Sequence, residues 1–279
     1  MSESTLCTFT ARDGCNLATQ RWPLPEGQAV RAVVLLVHGL GEHVGRYEHV
    51  ANFLTAQGFA VVGYDQYGHG ESSGARGTLT SSARLLDDLA EVLDAVRAKA
   101  QGLPVVLLGH SLGGLVAARF VSLGLRPVDG LVLSSPALDA GLNPLQKLLV
   151  AVLPGLLPDV QVGNGLDARY LSHDPAVVAA YRADRQVHDR VSPRLARFIA
   201  DAGPATLAQA GQWAVPTLLL YAGQDKLVNP QGSREFARRA PAAVVQSLCF
   251  EGLYHELFNE PEQDQVLALL ARWLQQKFK

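Results

Sequence analysis

The chain has 279 residues, 48% hydrophobic and 18% charged, with a formal net charge of −2. That length and apolar content suit one large α/β domain carrying an insertion, and they exclude a disordered chain. A near-neutral balance without a dense Lys/Arg block gives phosphate backbones nothing to grip, so no nucleic acid partner is expected.

Residues 8–11 and 18–22 flank the turn dipeptide Asp13-Gly14 and predict an antiparallel hairpin at a sheet edge. From there the pattern alternates. Residues 33–37 predict a strand, 46–57 a helix ended by Gly58, 59–64 a strand and 82–100 a helix. A strand at 105–108, a helix at 112–123 and a strand at 130–133 continue the series. Strands apolar on both faces, alternating with helices, predict a parallel sheet covered on each side.

Between Ser134 and Pro216 the alternation stops for far longer than the ~30 residues of a βαβ unit require. A helical insertion is therefore expected there. Its apolar stretch 143–160 contains Pro154 and Pro158 and should not form one straight helix. A strand at 217–221, a helix at 232–239, a strand at 244–250 and a last helix at 261–278 resume the rhythm. The expected division is a core of 1–136 and 206–279 interrupted by a helical lid at 137–205. Cys7, Cys15 and Cys249 are odd in number and widely spaced, which argues against a disulfide framework or structural zinc and for a reducing compartment. The opening residues hold no basic segment followed by an apolar run, and no apolar stretch approaches about 18 residues, so a cytoplasmic chain without membrane spans is expected.

Gly109-His110-Ser111-Leu112-Gly113 sets G-x-S-x-G at a strand end and a helix start, the context in which that motif presents a serine nucleophile. In so sharp a turn, side chains at the two glycines would strike the neighbouring strand and helix. The Leu112 N–H, at the start of the helix, points toward a developing oxyanion.

A serine hydroxyl needs a base to remove its proton and an acid to orient that base. Of eight histidines, His255 alone lies beyond the last segments of the sheet, directly after a strand, and is the candidate base. Asp225 follows the strand at 217–221 and completes the order Ser111, Asp225, His255; Asp139, six residues past an earlier strand, is the competing acid. The glycine-rich loop His38-Gly39-Leu40-Gly41-Glu42-His43 follows the strand at 33–37, and Leu40 N–H is the candidate second oxyanion donor. A metal at His38, Glu42 and His43 is disfavoured, since the spacing is not H-E-x-x-H and lies on a loop.

Five stretches resemble the monoacylglycerol lipase and lysophospholipase group of α/β-hydrolases, in the serine aminopeptidase-like branch. They are His38-Gly-Leu-Gly-Glu-His-Val-Gly-Arg46-Tyr47, Tyr64-Asp-Gln-Tyr-Gly68-His-Gly70-Glu-Ser, Gly109-His-Ser-Leu-Gly-Gly114, Gly223-Gln-Asp225 and Tyr254-His255-Glu. The first is the most specific, being far rarer than G-x-S-x-G. The resemblance implies the α/β-hydrolase fold, with a mostly parallel central sheet flanked by helices and a helical lid inserted between core segments. It implies Leu40 and Leu112 as oxyanion donors, Glu42 and Arg46 as supports of the oxyanion loop and the polar end of the pocket, and Gly39 and His110 as further supporting or substrate-binding positions. It also implies a fatty-acid ester as substrate, with transient membrane-surface contact through the lid and a peripheral location at a membrane. The leucines between 145 and 157 suit acyl chains or a membrane surface; packing on the core is the alternative. Two positions depart from the mammalian members: Phe258 replaces a histidine and Val228 a cysteine. Those departures bear on glycerol recognition and thiol-directed inhibition, not on the triad.

The expected reaction is hydrolysis of a carboxylic ester through an acyl-enzyme on Ser111, without metal or organic cofactor. Monoacylglycerol is the leading substrate, with lysophospholipid or simple carboxylic esters as alternatives. Dehalogenase or epoxide hydrolase chemistry would need aspartate at position 111. A proline-type aminopeptidase would need a carboxylate cluster in the lid, whose acids Asp139, Asp159, Asp167, Asp174, Asp184, Asp189 and Asp201 are scattered in sequence. A non-catalytic binding protein would be expected to lack a triad member. Replacing Ser111 with alanine should abolish turnover and labelling by a fluorophosphonate probe; intact activity with labelling elsewhere would overturn the assignment.

Overall fold

Runs such as Val33 to Val37, apolar at every position, can be buried only with a layer on each face, and that demand organises the whole chain. The computed structural model describes residues 4–25 and 27–279; residues 1–3, part of the opening read above for a leader, lie outside the described residues. The main sheet contains β1 (Thr5–Thr10), β2 (Asn16–Trp22), β3 (Ala32–Val37), β4 (Phe59–Tyr64), β5 (Val105–His110), β6 (Gly130–Ser134), β9 (Thr217–Ala222) and β10 (Val245–Phe250). Their spatial order is β1-β2-β4-β3-β5-β6-β9-β10. The β1/β2 and β2/β4 pairs are antiparallel and all others parallel, so the expected hairpin forms the edge of an otherwise parallel sheet.

Helices α1 (Glu48–Ala56), α2 (Arg84–Ala100), α3 (Leu112–Ser122), α7 (Gln231–Arg239) and α8 (Gln263–Lys277) cover the sheet. Two apolar clusters result, one on each face. Leu35, Leu107 and Leu133 point into the first with Leu89 and Phe120, while Leu36, Leu108 and Val132 point into the second with Leu54 and Trp273. Alternate residues of one strand thus feed opposite layers, as the period of two requires. The 46–57 segment differs from expectation, because Val44–Tyr47 forms a tighter single turn before α1 begins at Glu48.

The insertion contains α4 (Pro144–Leu156), β7 (Val162–Gly163), α5 (Pro175–Ala183), β8 (Arg190–Val191) and α6 (Pro193–Gln209), with β7 and β8 paired antiparallel. α4 runs through Pro154, contrary to the expectation of a break. Proline there removes only one helical N–H, the helix ends two residues later, and Pro158 lies beyond that end. An Asn143/Gln146 capping box starts it. The expected division at 205/206 falls inside α6, whose Leu195, Phe198 and Ala202 join the core cluster and whose Gly203 lies against Leu138 O. No helix among the described residues is long and apolar enough to cross a membrane.

A Cβ at Gly113 would stand 2.1 Å from Val37 O and 2.4 Å from His38 O, both backbone atoms. Gly113→Ala should therefore cost about 1–3 kcal/mol or more. Gly155→Ala, on α4 with open space around it, should be neutral or stabilising by about 0.5–1 kcal/mol. Urea unfolding of the two variants beside the parent chain checks both.

Candidate active site

Strand β5 ends at His110 and α3 begins at Leu112, so Ser111 alone turns the chain. Its φ of 52° and ψ of −117° lie outside the regions favoured by side-chain-bearing residues. Three backbone bonds hold it there: Ser111 N–H donates to Ser134 O at 3.0 Å, and Ser111 O accepts from Leu115 and Ala137 N–H at 3.0 Å each. Glycine at 109 is required because a Cβ there would meet Gly113 O at 2.5 Å.

The loops after β9 and β10 bring Asp225 and His255 to this serine. His255 Nε2 lies 2.8 Å from Ser111 Oγ, and His255 Nδ1 lies 2.6 Å from Asp225 Oδ2. Asp225 Oδ1 accepts the amides of Leu227 and Val228, both at 2.9 Å. Its carboxylate, with Nδ1 as donor, leaves Nε2 facing the hydroxyl as acceptor. Burial works to raise the Asp225 pKa, but the imidazole and the bonds from His255, Val228 and Leu227 hold it below the ordinary aspartate range. Burial likewise works against a charged His255, yet Asp225 outweighs it and raises the imidazole pKa. Asp139 is elsewhere. It accepts from Asn229 Nδ2 at 2.6 Å and from the Gly141 amide at 2.9 Å.

The loop after β3 faces Ser111 from the other side. Among the described residues, neither the Leu40 nor the Leu112 amide is hydrogen-bonded, and both residues line the cavity into which Ser111 opens. Gly39 N–H is spent on Glu42 Oε1 at 2.5 Å. Glu42 is buried and also accepts from Tyr47 OH at 2.6 Å and from Arg46. Burial tends to raise its pKa, but Arg46, His110 and His38 bring it down to about 2. Arg46 reaches across to Glu256, with Nη1 to Oε1 at 2.7 Å and Nη2 to Oε2 at 2.8 Å, and its guanidinium lies 4.8 Å from the centre of the Tyr181 ring. His110 packs its ring 4.8 Å from that of His255, and burial together with His255 lowers its pKa to about 4, so it stays neutral. At His38, Nε2 accepts the Gln66 amide at 2.9 Å and Nδ1 faces Gly39 O at 2.8 Å, leaving no nitrogen for a metal.

The cavity above Ser111 measures about 470 Å³. Leu142, Val150, Leu166, Leu171 and Ile199 give it apolar walls, while Asn164, Arg182, Asp184 and His188 lie among its polar residues. The insertion thus supplies much of the lining. Three features around the site carry no signal of their own in the sequence. Glu256 stands in the sequence as a mere neighbour of His255, Tyr47 as one residue of the motif around Arg46, and the His43–Asp184 bond (2.8 Å) spans 141 residues without any local signal.

Residues 28–262 match the family described as "Serine aminopeptidase, S33". The chain belongs to that family. It is 37% identical over 247 residues to a monoacylglycerol lipase of Mycolicibacterium smegmatis, with 88% of each chain covered. Identity to the phospholipase YtpA of Bacillus subtilis is 32%, covering 84% of this chain and 92% of that one. The crystal structure of Paleococcus ferrophilus monoacylglycerol lipase superposes with a TM-score of 0.84 at 33% identity, covering 94% and 99%. The sheet order, its helical layers and this superposition together make the fold that of the α/β-hydrolases.

A histidine base works only when neutral, so activity should rise with pH through a midpoint above the ordinary value of 6.5. Asp225→Asn removes the charge that favours imidazolium and permits the wrong tautomer. The acid limb of kcat/KM should move to lower pH, and kcat should fall about ten-thousand-fold. A pH profile of both forms on one soluble ester checks the sign and the size.

Proposed function

We propose that the chain is a serine hydrolase that cleaves monoacylglycerol to glycerol and free fatty acid. The observation that carries the reading is the 2.8 Å contact between Ser111 Oγ and His255 Nε2, opening into an apolar-walled cavity of about 470 Å³. His255 takes the Ser111 proton as Oγ attacks the ester carbonyl, Asp225 stabilises the resulting imidazolium, and the amides of Leu40 and Leu112 bond the tetrahedral oxyanion. His255 then gives its proton to the departing alcohol. Water repeats the cycle on the acyl-enzyme and frees the acid. Gly39, Glu42, Arg46 and His110 support the oxyanion loop and the histidine.

An aminopeptidase would need acids gathered to hold a substrate amine, and the lid acids are spent separately. Asp184 pairs with His43, Asp201 with Arg197, Asp167 with Arg169 and Asp159 with Arg194. The likeness to known monoacylglycerol lipases favours the monoester. A lysophospholipid is the second reading, favoured by the likeness to a phospholipase and by Arg182 beside the cavity, which an anionic head group could meet.

In this reading the insertion is a lid, and α4 is its membrane-facing part. Leu145, Leu148 and Leu156 are 64%, 60% and 71% exposed, while Val150 of the same helix lines the cavity. A row of leucines turned to water gains about 25 cal/mol per Å² when covered by acyl chains, which favours a protein resting on a membrane surface.

Hydrolysis of monoacylglycerols, diacylglycerols, lysophospholipids and simple esters of graded chain length tests the substrate. The highest kcat/KM should fall on medium- or long-chain monoacylglycerols. Preference for lysophospholipids would promote the second reading, and equal use of short esters of any alcohol would reduce the assignment to a general carboxylesterase.

A further inference from the structure

We propose that Glu256 is a positioning residue for this reaction, locking the oxyanion loop to the histidine loop through Arg46. The inference rests on the assignment of Ser111, Asp225 and His255 given above. Glu256 follows His255 directly and is 4% exposed. Its two oxygens grip the two terminal nitrogens of Arg46 at 2.7 and 2.8 Å, the bidentate fork that matches a planar guanidinium to a carboxylate.

Arg46 also bonds Glu42, whose Oε1 accepts the Gly39 amide at 2.5 Å. Gly39 immediately precedes Leu40, the proposed oxyanion donor. One guanidinium therefore connects residues 210 positions apart and joins the two loops that must converge on the same carbonyl carbon. Glu256 is itself secured at three further points. Its N–H donates to Leu171 O at 2.8 Å, its carbonyl O accepts from Asn259 N–H at 2.8 Å, and its Oε2 accepts from Asn259 Nδ2 at 2.7 Å. A glutamate serving only solubility would not have its carboxylate held by Arg46 and Asn259 side chains.

Charge adds a second effect. Glu42 and Glu256 bring two negative charges to a single Arg46, so the network has an excess negative charge beside a buried imidazole. Both carboxylates favour the protonated form of His255, the form created as Ser111 attacks. Glu256 thus steadies geometry through Arg46 and the imidazolium through its field.

The test uses the full chain, p-nitrophenyl butyrate as probe, and the variants Glu256→Gln and Glu256→Asp, with Tm recorded for each. Glu256→Gln keeps the length but loses the charge and one arm of the fork, since an amide nitrogen cannot accept from Arg46; kcat should fall about 10- to 100-fold with KM little changed. Its acid limb should also move to lower pH. Glu256→Asp keeps the charge on a stem too short for the fork, so kcat should fall while the acid limb stays in place. Wild-type kcat and an unmoved acid limb in Glu256→Gln, with Ser111 still labelled by fluorophosphonate, would overturn the inference and leave the triad standing. A lowered Tm with kcat intact below it would overturn it as well, since only fold stability would then depend on Glu256. Full turnover in Ser111→Ala would instead remove the triad, and the inference with it.

Discussion

The whole site depends on one backbone constraint, the turn at Ser111. A positive φ at a residue with a side chain costs about 1–3 kcal/mol, and it persists only where surrounding structure leaves no alternative. Here the surroundings are β3, β5, β6 and α3. Ser134 O, Leu115 N–H and Ala137 N–H bond the serine backbone, while Val37 and His38 carbonyls press against Gly113. The parallel sheet is thus more than a scaffold. Its central strands set the strain that lifts Oγ toward the cavity and frees the Leu112 amide.

Buried charge is the second theme. Glu42, Arg46 and Glu256 lie close together with little exposure, an arrangement whose desolvation is tolerable only when every oxygen and nitrogen finds a partner. The partners are supplied by Gly39 N–H, Tyr47 OH and Asn259 Nδ2. Such a network adds little net stability over an apolar core, but it tolerates only one geometry. That fits the demands of a site where two loops must meet within a fraction of an ångström.

The insertion works by a different rule. α6 is joined to the core by its buried face and by Gly203 against Leu138, and residues 168–173 are tied to the histidine loop through Glu256, Ser172 and Glu260. α4 shows the opposite balance, with several leucines turned to solvent. One inserted segment therefore combines anchored parts, which shape the cavity, with an apolar helix whose outer face is left uncovered. The alternative that these leucines simply pack on the core does not fit their exposure.

By itself the sequence determined the alternating strands and helices, the glycines around Ser111, and the chain order of Ser111, Asp225 and His255, the three residues proposed as the triad. These are local matters: hydrophobic period, turn chemistry and steric demand are written in neighbouring residues. It also pointed to Asp225 over Asp139, because distance from a strand end is visible along the chain. Tertiary structure decided everything that depends on meeting across long separations. The Arg46–Glu256 fork, the His43–Asp184 bond, the membership of α6 in the core and the passage of α4 through Pro154 have no dependable local signature. Charge pairing and packing are satisfied in space, and a glutamate after a histidine looks the same in sequence whether water or a buried guanidinium lies in front of it.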